Sequence, residues 1–369
     1  MKNNRLMGAL VLAAWGMVGC GSSESTGDGS DNVLPSSPTV AAQQSSGPGT
    51  TDAKSCDVPY GDAPAQLADL TTGLGSGALG DVLNLTNQCL VDGGETLAWT
   101  DATGQPRKAC LLTPPGATKG TPLPLVVFLQ GSLVPATPQL ILSDWIGRYK
   151  TQDLTGDAQR PGFTLLMPIG RNTHHFYPYP DDYALGFDNW YRNLDRSSPY
   201  LSVDVAAIDA FIQQVKDRGI VDDDRLYITG WSNGGAMAEL YSLNTPEVAA
   251  TATYSATAPF SDWRDPCAQA PFATTLPPAM DIHNSCDVIG TCQTTTAYHL
   301  QMAKMFPKLV QKVVLLDEAR QQTNACDALC ANDTIEGNPL GLTNHLIWPL
   351  QWNDQMFEWL RDHPRSSRK

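Results

Sequence analysis

Residues 225–229, Arg-Leu-Tyr-Ile-Thr, form a short, largely apolar run that ends on Gly230-Trp231-Ser232-Asn233-Gly234-Gly235, with Ala236-Met237-Ala238-Glu239-Leu240-Tyr241 behind it. The first segment reads as a strand and the last as a helix, so the chain must reverse around Ser232 within a few residues. Such an apex is strained and needs small neighbours, which Gly230, Gly234 and Gly235 supply. The Gly-x-Ser-x-Gly spacing alone says little in a chain with 31 glycines. A strand before it and a helix after it give it weight, because together they place a serine at the end of a sheet strand.

The flanking pattern extends that unit into a sheet. Glu95–Thr100 and Lys108–Thr113 read as a hairpin around residues 101–105. Leu123–Leu129, Phe163–Met167, Arg225–Thr229, Thr251–Tyr254, Ala279–Ile282 and Lys312–Leu316 read as further strands. Val203–Arg218 carries Val205, Ile208, Phe211, Ile212 and Val215 at helical spacing, and Trp352–Leu360 reads as a closing helix. Strands apolar on both faces and separated by helices predict an α/β chain with a mostly parallel sheet flanked by helices.

A serine hydroxyl becomes a nucleophile when a base takes its proton and a carboxylate orients that base. The next strand ending in a carboxylate loop is Met280-Asp281-Ile282-His283-Asn284-Ser285-Cys286-Asp287, and the last strand leads, after an insertion, to Gly341-Leu342-Thr343-Asn344-His345. The order Ser232, Asp287, His345 has separations of 55 and 58 residues, each room for one strand–helix unit. Asp262 and Asp265, after the strand that follows Ser232, are rivals for the acid; Asp317 and Glu318 would be out of order. Of six histidines, His174 and His175 precede the serine in an aromatic loop, His283 lies inside a strand, His299 falls in a helix-like run and His363 is near the C-terminus. His345 is therefore the expected base. A developing oxyanion needs donors aimed at it; the backbone N–H groups of Asn233 and Ser132 are the candidates.

Four segments carry a resemblance: Pro124-Leu125-Val126-Val127-Phe128-Leu129-Gln130-Gly131, Phe187-Asp188-Asn189-Trp190-Tyr191, the Arg225–Gly235 stretch, and Asn344-His345-Leu346-Ile347-Trp348-Pro349. Together they resemble the polyhydroxybutyrate-depolymerase/feruloyl-esterase branch of the α/β-hydrolases over roughly residues 95–360. The resemblance implies an α/β-hydrolase fold and secreted ester hydrolysis without a cofactor. The chain departs from the family pattern in having Gln130-Gly131 and His283-Asn284 where His-Gly is usual.

Compartment is read from the N-terminus and the cysteines. Lys2 and Arg5, an apolar stretch from Leu6 to Val18 and Gly19-Cys20-Gly21-Ser22 predict a signal peptide over residues 1–19. Cys20 resembles a lipidation site, which would make the protein an exported lipoprotein of the bacterial cell surface. Residues 20–55, dominated by Gly, Ser, Thr, Asp, Pro, Gln and Ala, predict a disordered tether to a single catalytic domain over 56–369. The eight other cysteines imply disulfides in an exported chain, with 105 formal connectivities if all pair. Spacing suggests Cys89–Cys110 and the local loops Cys286–Cys292 and Cys326–Cys330, while either member of the 286/292 pair has Cys267, Cys326 or Cys330 as another possible partner. Zinc at Cys326/Cys330 lacks a second ligand pair with finger spacing, and no metal is expected.

Composition excludes other classes. The formal net charge of −14 becomes −16 once Lys2 and Arg5 are removed, which argues against a nucleic-acid surface. Gly75-Ser76-Gly77-Ala78-Leu79-Gly80 matches a dinucleotide fingerprint but follows no buried strand. Asp222-Asp223-Asp224 lacks the alternating spacing of a calcium loop and reads as a solvated turn. The expected activity is a monomeric, lipid-anchored serine ester hydrolase acting on bulky or aromatic acyl esters or short polyesters. The alternatives are a prolyl-oligopeptidase-like peptidase, whose relatives usually carry an added propeller, and a silent hydrolase-fold lipoprotein that binds ligand.

Overall fold

Nine strands form one sheet in the order β1-β2-β4-β3-β5-β6-β7-β8-β9. They are β1 (Gly94–Thr100), β2 (Pro106–Leu112), β3 (Leu123–Leu129), β4 (Thr164–Pro168), β5 (Val221–Trp231), β6 (Val248–Tyr254), β7 (Ala279–Asn284), β8 (Gln311–Leu316) and β9 (Gln322–Thr323). From β4 through β8 all neighbours pair parallel; β1, β2 and β9 add antiparallel edges. The structure, a computed structural model, describes Cys89 and residues 93–368 apart from 103, 105, 132–135, 171–185, 188–192, 200, 260–271, 290–291 and 331–338. The expected signal peptide, Cys20, the tether, the 75–80 glycine turn, Cys56, Cys267, Ser132, His174, His175, Asp262 and Asp265 lie outside the described residues. Among the described residues no helix is long and apolar enough to cross a membrane.

The side-chain alternation of the strands builds two cores. On β3, Leu125, Val127 and Leu129 face one layer while Val126 and Phe128 face the other. The first layer is covered by α3 (Val203–Lys216), α4 (Asn233–Ser242) and α5 (Cys292–Met305), through Phe211, Met237, Leu240, Tyr298 and Met302 among others. The second is covered by α1 (Ala136–Leu142), α2 (Trp145–Arg148) and α7 (Asn353–Asp362), through Leu140, Trp145, Phe357 and Leu360. A parallel sheet buried on both faces, with this strand order and a serine turn after its longest strand, is the α/β-hydrolase fold. A buried group missed in the sequence ties the edge hairpin to this body. Arg107 on β2 pairs with Asp204 at the start of α3 and lies 3.6 Å from Asp101.

Two expectations are corrected here. Asp222, Asp223 and Asp224 belong to β5 rather than to a turn. Their charges are answered locally: Lys216 lies 3.0 Å from Asp223, Arg225 lies 3.6 Å from Asp222, and Ser366 donates to Asp224. His345 is the last residue of a helix, α6 (Pro339–His345). The local disulfides Cys286–Cys292 and Cys326–Cys330 do not form.

Cys286 bonds Cys330 and Cys292 bonds Cys326, with Cα separations of 5.2 and 5.7 Å, while Cys89–Cys110 forms as expected at 4.7 Å. The physical reason is a crossing segment. The 326–330 stretch lies alongside the turn after β7, held by the Asp327 N–H donating to the Ser285 carbonyl at 2.9 Å, so each cysteine meets a partner across the gap.

Candidate active site

Ser232 sits where β5 passes into α4, with φ 54° and ψ −121°. A side chain tolerates that conformation poorly, and close packing enforces it. A Cβ on Gly230 would run into the Gly234 carbonyl, and one on Gly234 would run into the carbonyl oxygens of Leu129 and Gln130. The elbow therefore lies against the end of β3, where the main chain of the preceding motif comes closest. Gly131 is held there by a side chain unseen in the sequence. Buried Gln139 of α1 accepts from the Gly131 N–H at 2.8 Å and donates to its carbonyl at 3.3 Å.

The turn after β7 carries Asp287, and α6 brings His345 across to it. His345 Nδ1 lies 2.8 Å from Asp287 Oδ2, and His345 Nε2 lies 2.7 Å from Ser232 Oγ. An ionised carboxylate only accepts, so Nδ1 carries the proton and Nε2 offers its lone pair to the serine hydroxyl. Asp287 is buried. Burial opposes its ionisation, but the charge and hydrogen bond of His345, the nearby His283 and the Ile289 N–H together hold its carboxyl below the usual range. The structure thus brings Ser232, Asp287 and His345 together in the order read from the sequence. Asp317 stays away, accepting from the Gln321 N–H at the β8–β9 turn.

His345 is positioned by a clamp that the sequence did not reveal. The Trp231 indole donates to the His345 carbonyl at 2.9 Å. The Tyr254 hydroxyl lies 2.7 Å from the Asn344 carbonyl and 2.8 Å from that of Ile347, and Asn284 Nδ2 lies 2.9 Å from the same hydroxyl. Asn284 is one of the two positions that departs from the family pattern. Here its amide braces the base-bearing segment, which glycine would leave unbraced. The other, Gln130, is fully buried at the end of β3.

Asn233 opens α4, so its backbone N–H lies at the positive end of a helix and next to the serine. Its side chain has a separate task. Oδ1 accepts from the Phe187 N–H at 2.6 Å and Nδ2 donates to the Phe187 carbonyl at 2.8 Å. That two-point clamp fixes the start of the Phe187–Tyr191 motif against the elbow.

His283, inside β7, is a core residue, with Nε2 3.8 Å from Asp287 Oδ2 and Nδ1 3.7 Å from Asp281 Oδ2. His299 is buried in α5 beside Glu239 and Asp281. His363 caps the end of α7 against the Trp359 carbonyl at 2.7 Å.

Residues 189–276 match the prolyl oligopeptidase family. No curated protein sequence matches the chain. Similar solved structures include a thermostable esterase, at 15% identity over 74% of this chain and 64% of that one, TM-score 0.44. An S-formylglutathione hydrolase from Agrobacterium tumefaciens is similar at 13% identity over 73% and 95%, TM-score 0.43. Dipeptidyl peptidase 4 from Porphyromonas gingivalis is similar at 15% identity over 73% and 35%, TM-score 0.41. The chain thus spans under two thirds of the esterase and about a third of the peptidase.

Proposed function

We propose that the protein is a serine carboxylic-ester hydrolase working through Ser232, His345 and Asp287. The observation that carries this reading is the unbroken relay from Asp287 Oδ2 through the His345 ring to Ser232 Oγ, at 2.8 and 2.7 Å. His345 Nε2 takes the hydroxyl proton as Ser232 Oγ attacks the acyl carbon. The oxyanion of the tetrahedral intermediate is met by the backbone N–H of Asn233, with that of Ser132 as the second donor. The imidazolium then gives its proton to the departing alcohol. The acyl-enzyme left behind is cleaved by a water that His345 activates in the same way, returning the proton to Ser232.

The ester reading, with bulky or aromatic acyl groups or short polyesters as substrates, is supported by the resemblance of the β3-end, Phe187–Tyr191 and Asn344–Pro349 segments and by the placement of the β3 end, Phe187 and Asn344–Pro349 around the elbow. A peptidase reading is favoured by the match of residues 189–276 to the prolyl oligopeptidase family. Export as a lipid-anchored protein fits the N-terminal sequence and the three disulfides among the described residues. Rates on aryl esters and on peptide anilides, with Ser232→Ala as blank, test both readings. Ester turnover that vanishes in the variant supports the proposal; turnover confined to anilides replaces it with the peptidase.

A further inference from the structure

Behind the triad, away from Ser232, three side chains that the hydrolytic chemistry does not use converge inside the protein. Glu239 lies on α4 seven residues beyond Ser232, Asp281 on β7 six residues before Asp287, and His299 on α5. All three side chains are more than nine-tenths buried. One ligand-type atom of each lies within 4.8 Å of those of the other two. We propose that Glu239, Asp281 and His299 form a binding site for a divalent transition-metal cation of the zinc class, tying the nucleophile-bearing helix to the acid-bearing strand.

Geometry carries this further than a simple buried ion pair. Glu239 Oε2 makes no hydrogen bond, and Asp281 Oδ2 and His299 Nε2 have no well-aligned partner beyond their own 3.4 Å contact, although buried polar atoms are normally paired. His299 Nε2 lies 3.4 Å from Asp281 Oδ2 and 3.8 Å from Glu239 Oε1. Ligands about 2.0–2.1 Å from a tetrahedral ion stand roughly 3.3–3.4 Å apart, so small side-chain shifts close the set.

The imidazole is also oriented as metal-binding histidines are. His299 Nδ1 lies 3.0 Å from Gln311 Oε1, and Gln311 Nε2 donates to the His299 carbonyl at 3.2 Å. That second bond fixes the amide with its oxygen toward the ring, so Nδ1 carries a proton and Nε2 points at the carboxylates. The Thr253 hydroxyl, 3.0 Å from Asp281 Oδ1, holds the other carboxylate oxygen. A small, mostly apolar cavity bordered by Glu239, His299 and Gln311, though not by Asp281, adjoins the cluster.

Two carboxylates and one imidazole suit zinc-class ions better than an all-oxygen magnesium or calcium shell. A divalent ion would neutralise both carboxylates.

The test uses the full chain, stripped with a chelator and titrated with Zn2+, Ca2+ or Mg2+. One equivalent of Zn2+ should remain through gel filtration and raise Tm by several degrees, whereas Ca2+ and Mg2+ leave Tm unchanged. The Glu239→Gln/His299→Gln double variant should bind Zn2+ at least tenfold more weakly, and His174→Ala/His175→Ala should bind it like the wild type. No retained equivalent in the wild type, or an undiminished one in the double variant, overturns the proposal. If the double variant does not fold, wild-type crystals grown with Zn2+ decide. An anomalous peak among the three side chains supports the site, and its absence there refutes it.

Discussion

Trp231, the residue before the nucleophile, donates its indole N–H to the backbone carbonyl of His345, 114 positions later, at 2.9 Å. The same ring packs at 5.5 Å from Trp348 and 5.9 Å from Tyr254, so one side chain joins the elbow to the segment bearing the base. Trp231→Phe keeps much of the packing and removes the donor. It should lower kcat by about tenfold with little change in KM, the scale of roughly 1.4 kcal/mol for a positioning hydrogen bond. Steady-state kinetics alongside a melting curve check this, and an unchanged kcat in a folded variant counts against the clamp.

The acid assignment separates cleanly by substitution. Ser232→Ala should lose about 10³-fold or more in kcat, and Asp287→Asn should lose on the order of 10³–10⁴-fold by releasing the His345 tautomer. Asp262→Asn and Asp265→Asn should stay close to wild type. A crippled Asp262→Asn or Asp265→Asn beside an active Asp287→Asn would move the acid to the loop after β6.

Acid stability should also report Asp287. Its carboxyl is held below the ordinary range in the folded protein, so folding favours its ionised form. That contribution is complete above the unfolded carboxylate value near pH 3.9 and is lost as pH falls from there through the lower folded value. Melting temperatures followed downward from about pH 5 should fall less steeply for Asp287→Asn than for the wild type. Parallel slopes would mean that this carboxylate gains nothing on folding.

Disulfide mapping should recover Cys286 linked to Cys330 and Cys292 linked to Cys326. These bridges close loops with separations of 44 and 34 residues, each worth about 3–4 kcal/mol in a chain-entropy account, and they anchor the turn that carries Asp287. The Cys286→Ser/Cys330→Ser variant should lower both Tm and kcat. Recovery of a Cys286–Cys292 peptide from unreduced protein would restore the local pairing.

Local physics made much of this protein readable before any folding was considered. The apolar runs of β3, β5 and β6, the helical spacing of α3 and the glycines around Ser232 follow from side-chain period and backbone sterics within a few residues. Chain order placed the acid and the base because an α/β sheet delivers successive loops to one edge. The rest depended on residues far apart in the chain. Cys286 chose Cys330 over nearby Cys292 because the 326–330 segment runs beside the β7 turn. Gln139, Asn284, Tyr254 and Trp231 became supports for the site through contacts spanning up to 114 positions, and Glu239, Asp281 and His299 met inside the molecule from α4, β7 and α5. Sequence period determines which face each residue shows; only the packed sheet and its helices decide which faces meet, because hydrogen bonds, disulfides and buried charges act over a few ångströms of space whatever their separation along the chain.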